Sequence, residues 1–259
     1  MNSSYTKSRQ DAPAGFFATE AAGLAWLAAA GGAAVVGVQQ VAESALVLDR
    51  LHPTGPDPAA ARSFGRALAT THRAGAEVFG ELPPGAAGYW FGPLSDPLPL
   101  PEVAAERFGS FYAEGRLWPL TERCRQAGAI DDELAADLAR VCQTLTDGRW
   151  DDHDGRLVPP ARLHGDLWAG NLVWTQHGVT LIDPAACGGH PETDLAMLEL
   201  FGAPHLGEIL AGYAEAGTLA PDWRSRIGLH QLFPLLVHAL LFGGSYASAT
   251  RARVDALRS

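Results

Sequence analysis

Residues 163–202 read LHGDLWAGNLVWTQHGVTLIDPAACGGHPETDLAMLELFG, and the first half of this stretch decides the fold. Asp166 is followed five residues later by Asn171. Two short apolar runs come next, 172–174 and 179–182, with a turn at His177-Gly178, and this pattern predicts a β-hairpin. Asp183 stands at its far end, before Pro184. An Asp, an Asn five residues on and an Asp across a hairpin are the arrangement of kinase-type phosphoryl transfer. The chemistry explains the spacing. An acceptor hydroxyl needs a carboxylate within reach to take its proton, a role open to Asp166. A polyphosphate needs a divalent metal held by hard oxygen ligands, and an Asn carbonyl with a carboxylate suits Mg²⁺, so Asn171 and Asp183 are the candidate ligands. Gly165 and Gly170 let the loop turn tightly around its Asp.

Each fragment alone is commonplace. A lone His such as His164 is more often a hydrogen-bonded core residue than a catalyst, and a lone Asp before Pro often caps a turn. The fragments in this order, around a hairpin, make chance a poor explanation.

Working outward, the 259 residues are 47% apolar and 19% charged, which suits a globular protein with a real core and excludes collagen-like, disordered and disulfide-scaffold classes. The formal charge of −10 argues against nucleic acid or an anionic membrane as partner and accommodates an amine-bearing small molecule. Among the 19 basic residues Lys7 is the single lysine. Cys124, Cys142 and Cys187 form neither a disulfide framework nor a zinc knuckle, so a reducing, cytoplasmic location is expected. Residues 21–38 carry no charge, but Ala and Gly dominate them and Gly31-Gly32 interrupts them. They read as a buried helix followed by a strand, not a membrane span.

The local patterns predict a helix over 16–30 containing Glu20, Leu24 and Leu27, then strands at 34–41 and 45–51. Turn-rich 52–56 marks a boundary, and Asp57-Pro58 caps a helix carrying Phe64, Leu68 and His72. Residues 83–101 hold six of the 18 prolines and predict a long loop. Further helices are expected at 102–115, 131–146, 191–202, 205–216 and 222–247. His72 and His238, on apolar helix faces, read as core histidines.

The run HGDLWAGN, with the Trp inside it, and the tail ETDLAMLELFG resemble the fructosamine/ketosamine kinase family, a branch of the aminoglycoside-phosphotransferase-like kinases. Supporting pieces are Phe17, Glu20, Ala21, Gly23, Leu24, Trp26 and Leu27 near the start, the 45–51 segment, and Leu241-Phe242-Gly243-Gly244-Ser245-Tyr246 near the end. The resemblance implies a protein-kinase-like α+β fold with two lobes: a reduced N-terminal lobe over 1–51 and a mainly helical lobe over 52–259. Only six residues precede Lys7, where the family's Gly-containing segment would stand: either the true start lies upstream or the segment is absent, and a true absence would leave a small lobe of about three strands with an open edge.

The resemblance also implies roles. Lys7 matches the lysine that holds the ATP phosphates, and Glu20 the helix carboxylate paired with it. Residues 46–51, with Leu46, Leu48, Asp49 and Leu51, resemble the hinge that binds adenine through its backbone. Asp166 matches the catalytic base, Asn171 and Asp183 the Mg²⁺ ligands, and Trp168 an aromatic wall beside the substrate sugar. His164 and Asp194 match structural support for the catalytic loop. The implied reaction is ATP-dependent phosphorylation of a fructosamine or ribulosamine, in the repair of glycated amines. The alternatives are a kinase of another small hydroxyl compound of aminoglycoside, choline or homoserine type, or a non-catalytic nucleotide-binding protein.

Overall fold

The computed structural model describes residues 3–153, 156–216, 219–220 and 222–258. The N-terminal part comprises strand β1 (Ser4–Ser8), helix α1 (Phe16–Ala28) and strands β2 (Ala34–Val35), β3 (Val38–Ala42) and β4 (Ala45–Asp49). Three of the strands form an antiparallel sheet in the order β1-β4-β3, with Lys7 opposite Leu46. Phe17, Glu20, Leu24 and Leu27 recur at helical spacing and are buried, so the carboxylate of Glu20 belongs to the inward face of α1. That face packs Phe17 and Leu24 against Leu46 and Leu48 of the central strand.

The expected strand over 34–41 is two strands in different sheets. Val36 passes its N–H to Leu181 at 3.0 Å, and Gly37 then turns the chain toward β3. A Cβ on Gly37 would stand 2.1 Å from the Asp49 carboxylate, which would have to move aside.

Helix α2 (Pro58–Arg73) begins as its sequence dictates: Asp57 Oδ1 accepts the Ala60 N–H at 2.8 Å and proline opens the first turn. Its stripe of Ala61, Phe64, Leu68 and His72 is buried. The 83–101 segment holds a short ladder of β5 (Trp90–Phe91) and β6 (Leu98–Pro99), anchored to α1 by the Ala87 N–H to Thr19 Oγ1 at 2.9 Å. Helix α3 (Phe108–Tyr112) runs through a π-turn at Ala113–Leu117 into α4 (Trp118–Gln126), and α5 (Asp132–Thr146) follows, capped by Asp131. The helix expected over 102–115 therefore starts late, because Ala105 is held extended in a bridge to Phe79.

Two small ladders flank the signature stretch: β7 (Asp152–His153) with β8 (Arg156–Leu157), and β9 (Ala161–Leu163) with β12 (Cys187–Gly189). Between β9 and β12 lie a 3-10 turn at Ala169–Asn171 and the hairpin of β10 (Leu172–Thr175) and β11 (Gly178–Leu181). The turn residues are Gln176 and His177, one position earlier than expected, because Gly178 at φ 109° already pairs with Thr175. Strand β2 adds to β11 in parallel, so the N-terminal part is stitched to this hairpin by backbone hydrogen bonds.

The remainder is helical: α6 (Pro191–Phe201), α7 (Leu206–Glu215), α8 (Ile227–His230), α9 (Leu232–Phe242) and α10 (Ser245–Arg258), with a 3-10 turn at Trp223–Ser225. The single helix expected over 222–247 is broken. Gly243 and Gly244 adopt left-handed φ values of 62° and 65°, and α10 leaves in a new direction from the end of α9. Gly65 and Gly212 let α2 and α7 pack backbone to backbone: a Cβ on either would stand 2.0 Å from a carbonyl oxygen of the other helix. Leu68, Leu181, Leu195, Leu198 and Ile209 fill the space between these helices and the hairpin. Each such fully buried side chain contributes about 1.5–3 kcal/mol. Among the described residues, no helix is long and apolar enough to cross a membrane.

Candidate active site

The loop between β9 and β10 is built around one buried carboxylate. Asp194, near the start of α6, accepts the His164 N–H at 2.8 Å on Oδ2 and the Gly165 N–H at 3.0 Å on Oδ1. His72 Nε2 lies 3.1 Å from Oδ2, and His72 Nδ1 lies 2.8 Å from the Tyr213 hydroxyl. Burial pushes the Asp194 pKa up, but these donors and the nearby imidazoles outweigh it, and the carboxyl is held below its usual value. The result is an anionic peg for the loop.

His164 ties the same loop to the hairpin. Its Nδ1 accepts the Asp166 N–H at 3.2 Å, so the proton sits on Nε2, which donates to the Ile182 carbonyl at 2.9 Å. Burial lowers its pKa and keeps the ring neutral. Gly165 has φ 81°, and a Cβ there would stand 1.9 Å from the Ala185 carbonyl oxygen. This glycine is fixed by both backbone sign and space.

Asp166 follows. Its carboxylate accepts one side-chain donor, Asn171 Nδ2 at 3.0 Å, and the same amide nitrogen reaches the Asp166 carbonyl at 2.7 Å and the Asp183 carbonyl at 3.4 Å. Burial raises the Asp166 pKa to about 7; the Asn171 hydrogen bond opposes that, while Asp183 and Asp194 add repulsion. Across the loop, Lys7 Nζ donates to both oxygens of Glu20 at 2.8 and 2.9 Å and to Asp183 Oδ1 at 3.0 Å. Burial alone would lower the Lys7 pKa, but Glu20 and Asp183 together hold it above its usual value. Glu20 is pushed up by burial, offset only in part by Lys7. Asp183 adopts φ 54°, a left-handed conformation uncommon outside glycine, immediately before Pro184.

These groups converge on a cavity of about 650 Å³ whose walls include Lys7, Glu20, Asp166, Trp168, Asn171 and Asp183. Trp168 is 41% exposed, with its ring folded over Gly170 and edge-on to Phe201 at 6.5 Å. Sequence reasoning missed the rest of the aromatic lining. Tyr89 and Trp90 come from the proline-rich segment, and Phe242 and Tyr246 from the α9–α10 break. His238 also lines the cavity: its Nδ1 bonds the Pro234 carbonyl at 2.7 Å and its ring stacks near Phe201 at 4.7 Å. His72 is the buried histidine the helical pattern predicts; His238 is only half-buried and faces the cavity.

The four hinge candidates stand apart. Leu46, Leu48 and Asp49 lie in the central strand β4, whose backbone is engaged by β1 on one side and β3 on the other. The Leu46 and Leu48 side chains are core, and Asp49 Oδ1 accepts Gln39 Nε2 at 2.7 Å. Leu51 packs at the edge of that core, and none of the four borders the cavity. The backbone of 46–49 is therefore taken up by the ladder. Only the chain after Asp49 is outside the sheet, and there the Arg50 N–H is already bonded to the Ser3 carbonyl at 3.0 Å.

Asn171 and Asp183 fit a hard divalent cation. The amide nitrogen of Asn171 is spent on Asp166, which leaves its oxygen as the remaining acceptor, and Asp183 presents a half-exposed carboxylate. A second cluster, His190, Glu192 and His230, has ligand atoms within 4.8 Å of one another but does not fit a metal. His190 Nδ1 already accepts the Glu192 N–H, so the neutral ring carries its proton on Nε2. Both Glu192 oxygens are bound by Arg226 at 2.7 and 2.9 Å.

Comparison with known proteins places this geometry. The family model described as fructosamine kinase matches residues 2–259. A crystal structure assigned to fructosamine-3-kinase, from Thermobifida fusca YX-ER1, is 40% identical with a TM-score of 0.87, covering 99% of this chain and 86% of that one. A Thermus thermophilus protein named "Probable ketoamine kinase" is 32% identical over 255 residues, 96% of this chain and 86% of its own. One of the same description from Escherichia coli (strain K12) is 30% identical over 214 residues, 83% of this chain and 69% of its own. The fold is protein-kinase-like, and the chain belongs to the fructosamine kinase family, phosphotransferases with an alcohol group as acceptor.

Proposed function

We propose that the chain transfers the γ-phosphoryl group of ATP to a hydroxyl of a ketosamine of fructosamine or ribulosamine type. The observation that carries this reading is the convergence of Asp166, Asn171, Asp183 and the Lys7–Glu20 pair on one cavity walled by Trp168. Asp166 is the base. The acceptor oxygen forms a bond to the γ-phosphorus, the bond from that phosphorus to the β–γ bridging oxygen breaks, and the acceptor proton passes to Asp166. A carboxyl with a pKa of about 7 both takes that proton and is ionised near neutral pH.

Lys7 supplies positive charge to the ATP phosphates, and Glu20 holds it in place. Asn171 and Asp183 would hold Mg²⁺, which when bound neutralises charge on the phosphate oxygens. Trp168 offers its face to the sugar, and the amine arm meets a cavity where carboxylates outnumber the one lysine. His164 and Asp194 act on the loop, not on substrate. We divide the molecule into a nucleotide-binding lobe over 1–51, of which residues 1 and 2 lie outside the described residues, and a helical lobe over 52–259. We place its work in the cytoplasm, where phosphorylation would begin removal of sugar from glycated amines.

The test is incubation of the purified chain and its Asp166→Asn variant with Mg-ATP and fructosamine or ribulosamine, read by ³¹P NMR. A sugar phosphate from the wild type alone supports the reading. No product, or turnover of an aminoglycoside or choline with no ketosamine turnover, overturns it.

A further inference from the structure

Arg116 is a buried cation that the chemistry above does not use. It is 4% exposed, sits in the π-turn at Ala113–Leu117, and has no carboxylate within ion-pair distance among the described residues. Taking a guanidinium out of water without a counter-charge is strongly unfavourable. Its compensation is unusual. The guanidinium carbon stands 4.4 Å from the centre of the Tyr89 ring and 4.5 Å from that of Phe111, with Phe233 at 5.9 Å. Nη1 donates to the Gly115 carbonyl at 2.9 Å, and Nη2 reaches Cys187 Sγ at 3.8 Å. Arg116 sits in that π-turn, a distortion frequent at functional sites.

What Arg116 holds leads directly to the reacting groups. The Tyr89 hydroxyl donates to the Ala185 carbonyl at 3.1 Å and also reaches Cys187 Sγ at 3.6 Å. That same Ala185 carbonyl closes on Gly165, where even a methyl group would stand 1.9 Å away. Gly165 precedes Asp166, and Ala185 lies two residues after Asp183, whose left-handed backbone needs to be held from outside.

We propose that Arg116 is a positioning residue for phosphoryl transfer: by clamping Tyr89 and Cys187 it seats residues 183–187 on Gly165 and so sets the Asp183 carboxylate relative to Asp166. The proposal rests on the reading of Asp183 as a metal ligand. Lysine keeps the charge but not the planar stack on two rings, so Arg116→Lys separates geometry from charge. Tyr89→Phe keeps the ring under Arg116 and removes only the hydroxyl that bonds Ala185 and reaches Cys187.

The experiment compares Arg116→Lys, Arg116→Met and Tyr89→Phe with wild type, after near-UV circular dichroism has established the folded fraction. Calorimetry gives the Mg²⁺ concentration that half-saturates Mg²⁺-dependent ATP binding, and steady-state assays give kcat and the ketosamine KM. Expected for both Arg116 variants are a rise of about fivefold in the Mg²⁺ requirement and a fall of about tenfold in kcat, with ketosamine KM within about twofold. Tyr89→Phe moves the same way by less. A folded variant with wild-type Mg²⁺ requirement and kcat overturns the proposal. So does a fall in kcat that only tracks lost folded protein. If Arg116→Met does not fold, Arg116→Lys decides. If no ketosamine is turned over at all, the Mg²⁺ dependence of ATP binding still decides, so the two readings fail separately.

Discussion

Asp166, partly buried on the cavity wall, and Asp194, fully buried, are carboxylates of the same stretch, yet they lie in opposite states. Asp166 has one side-chain donor and a pKa raised to about 7 by burial, whereas Asp194 has two backbone N–H donors and a histidine and is held below the usual range. Burial raises the pKa of both carboxyls, and the number of donors differs. A fully solvated anion would be a weak base in the site, and a fully satisfied one would not take a proton. The chain uses the satisfied carboxylate to fix a loop and leaves the starved one where the acceptor hydroxyl would sit.

The largest expected effect comes from Asp166→Asn. Loss of the base lowers kcat about 10³-fold, measured by phosphoryl transfer at pH 8. The same variant is more stable than wild type. The folded pKa of Asp166 lies above the ordinary 3.8, so its ionisation opposes folding. That penalty is absent below about pH 4, grows toward pH 7 and is complete above it, on the order of 4 kcal/mol. Thermal unfolding at pH 8 and pH 4 checks the sign: the gain belongs to pH 8.

Asp194→Ala should do the reverse. It strips the acceptor from two buried N–H groups and from His72, and destabilises the fold by about 3–5 kcal/mol. Because the Asp194 carboxyl is held low in the fold, its contribution is present above its unfolded value and is lost as pH falls through the lower folded one. The gap between Asp194→Ala and wild type in denaturant therefore narrows in acid, where the gap for Asp166→Asn vanishes.

Smaller effects sharpen the electrostatic side of the contrast. Lys7→Met removes the one ammonium facing both Glu20 and Asp183 and lowers kcat/KM for ATP about 10²-fold; Glu20→Gln, which only loosens that lysine, lowers it about tenfold. Trp168→Ala raises ketosamine KM about tenfold with ATP KM unchanged, because its ring lines the cavity and touches no predicted phosphate group.

What the sequence made legible was local. The hairpin, its flanking Asp and Asn, the Asp57 cap and the buried stripe of α1 each announce themselves within a few residues. The cavity's aromatic wall does not, because Trp90 and Phe242 meet across the fold from segments with no shared pattern. Parallel pairing of β2 with β11 was equally invisible, since two residues of strand carry no periodicity. The surroundings of the hinge candidates were illegible for a related reason: alternating Leu46 and Leu48 signal a buried strand, and only the pairing with β1 as well as β3 reveals that its backbone is engaged on both edges. The π-turn at Arg116 had no sequence signal, and His238 looked like core because an apolar helix face can border a cavity as well as another helix.

The most direct test is the pH dependence of kcat/KM for phosphoryl transfer from Mg-ATP to a ketosamine, followed by ³¹P NMR from pH 5.5 to 8.5. The account predicts sugar phosphate as product, with kcat/KM falling about tenfold per pH unit below about pH 7 and level above it, as the free enzyme's base titrates. No product, or a rate that is flat across that range, would contradict it.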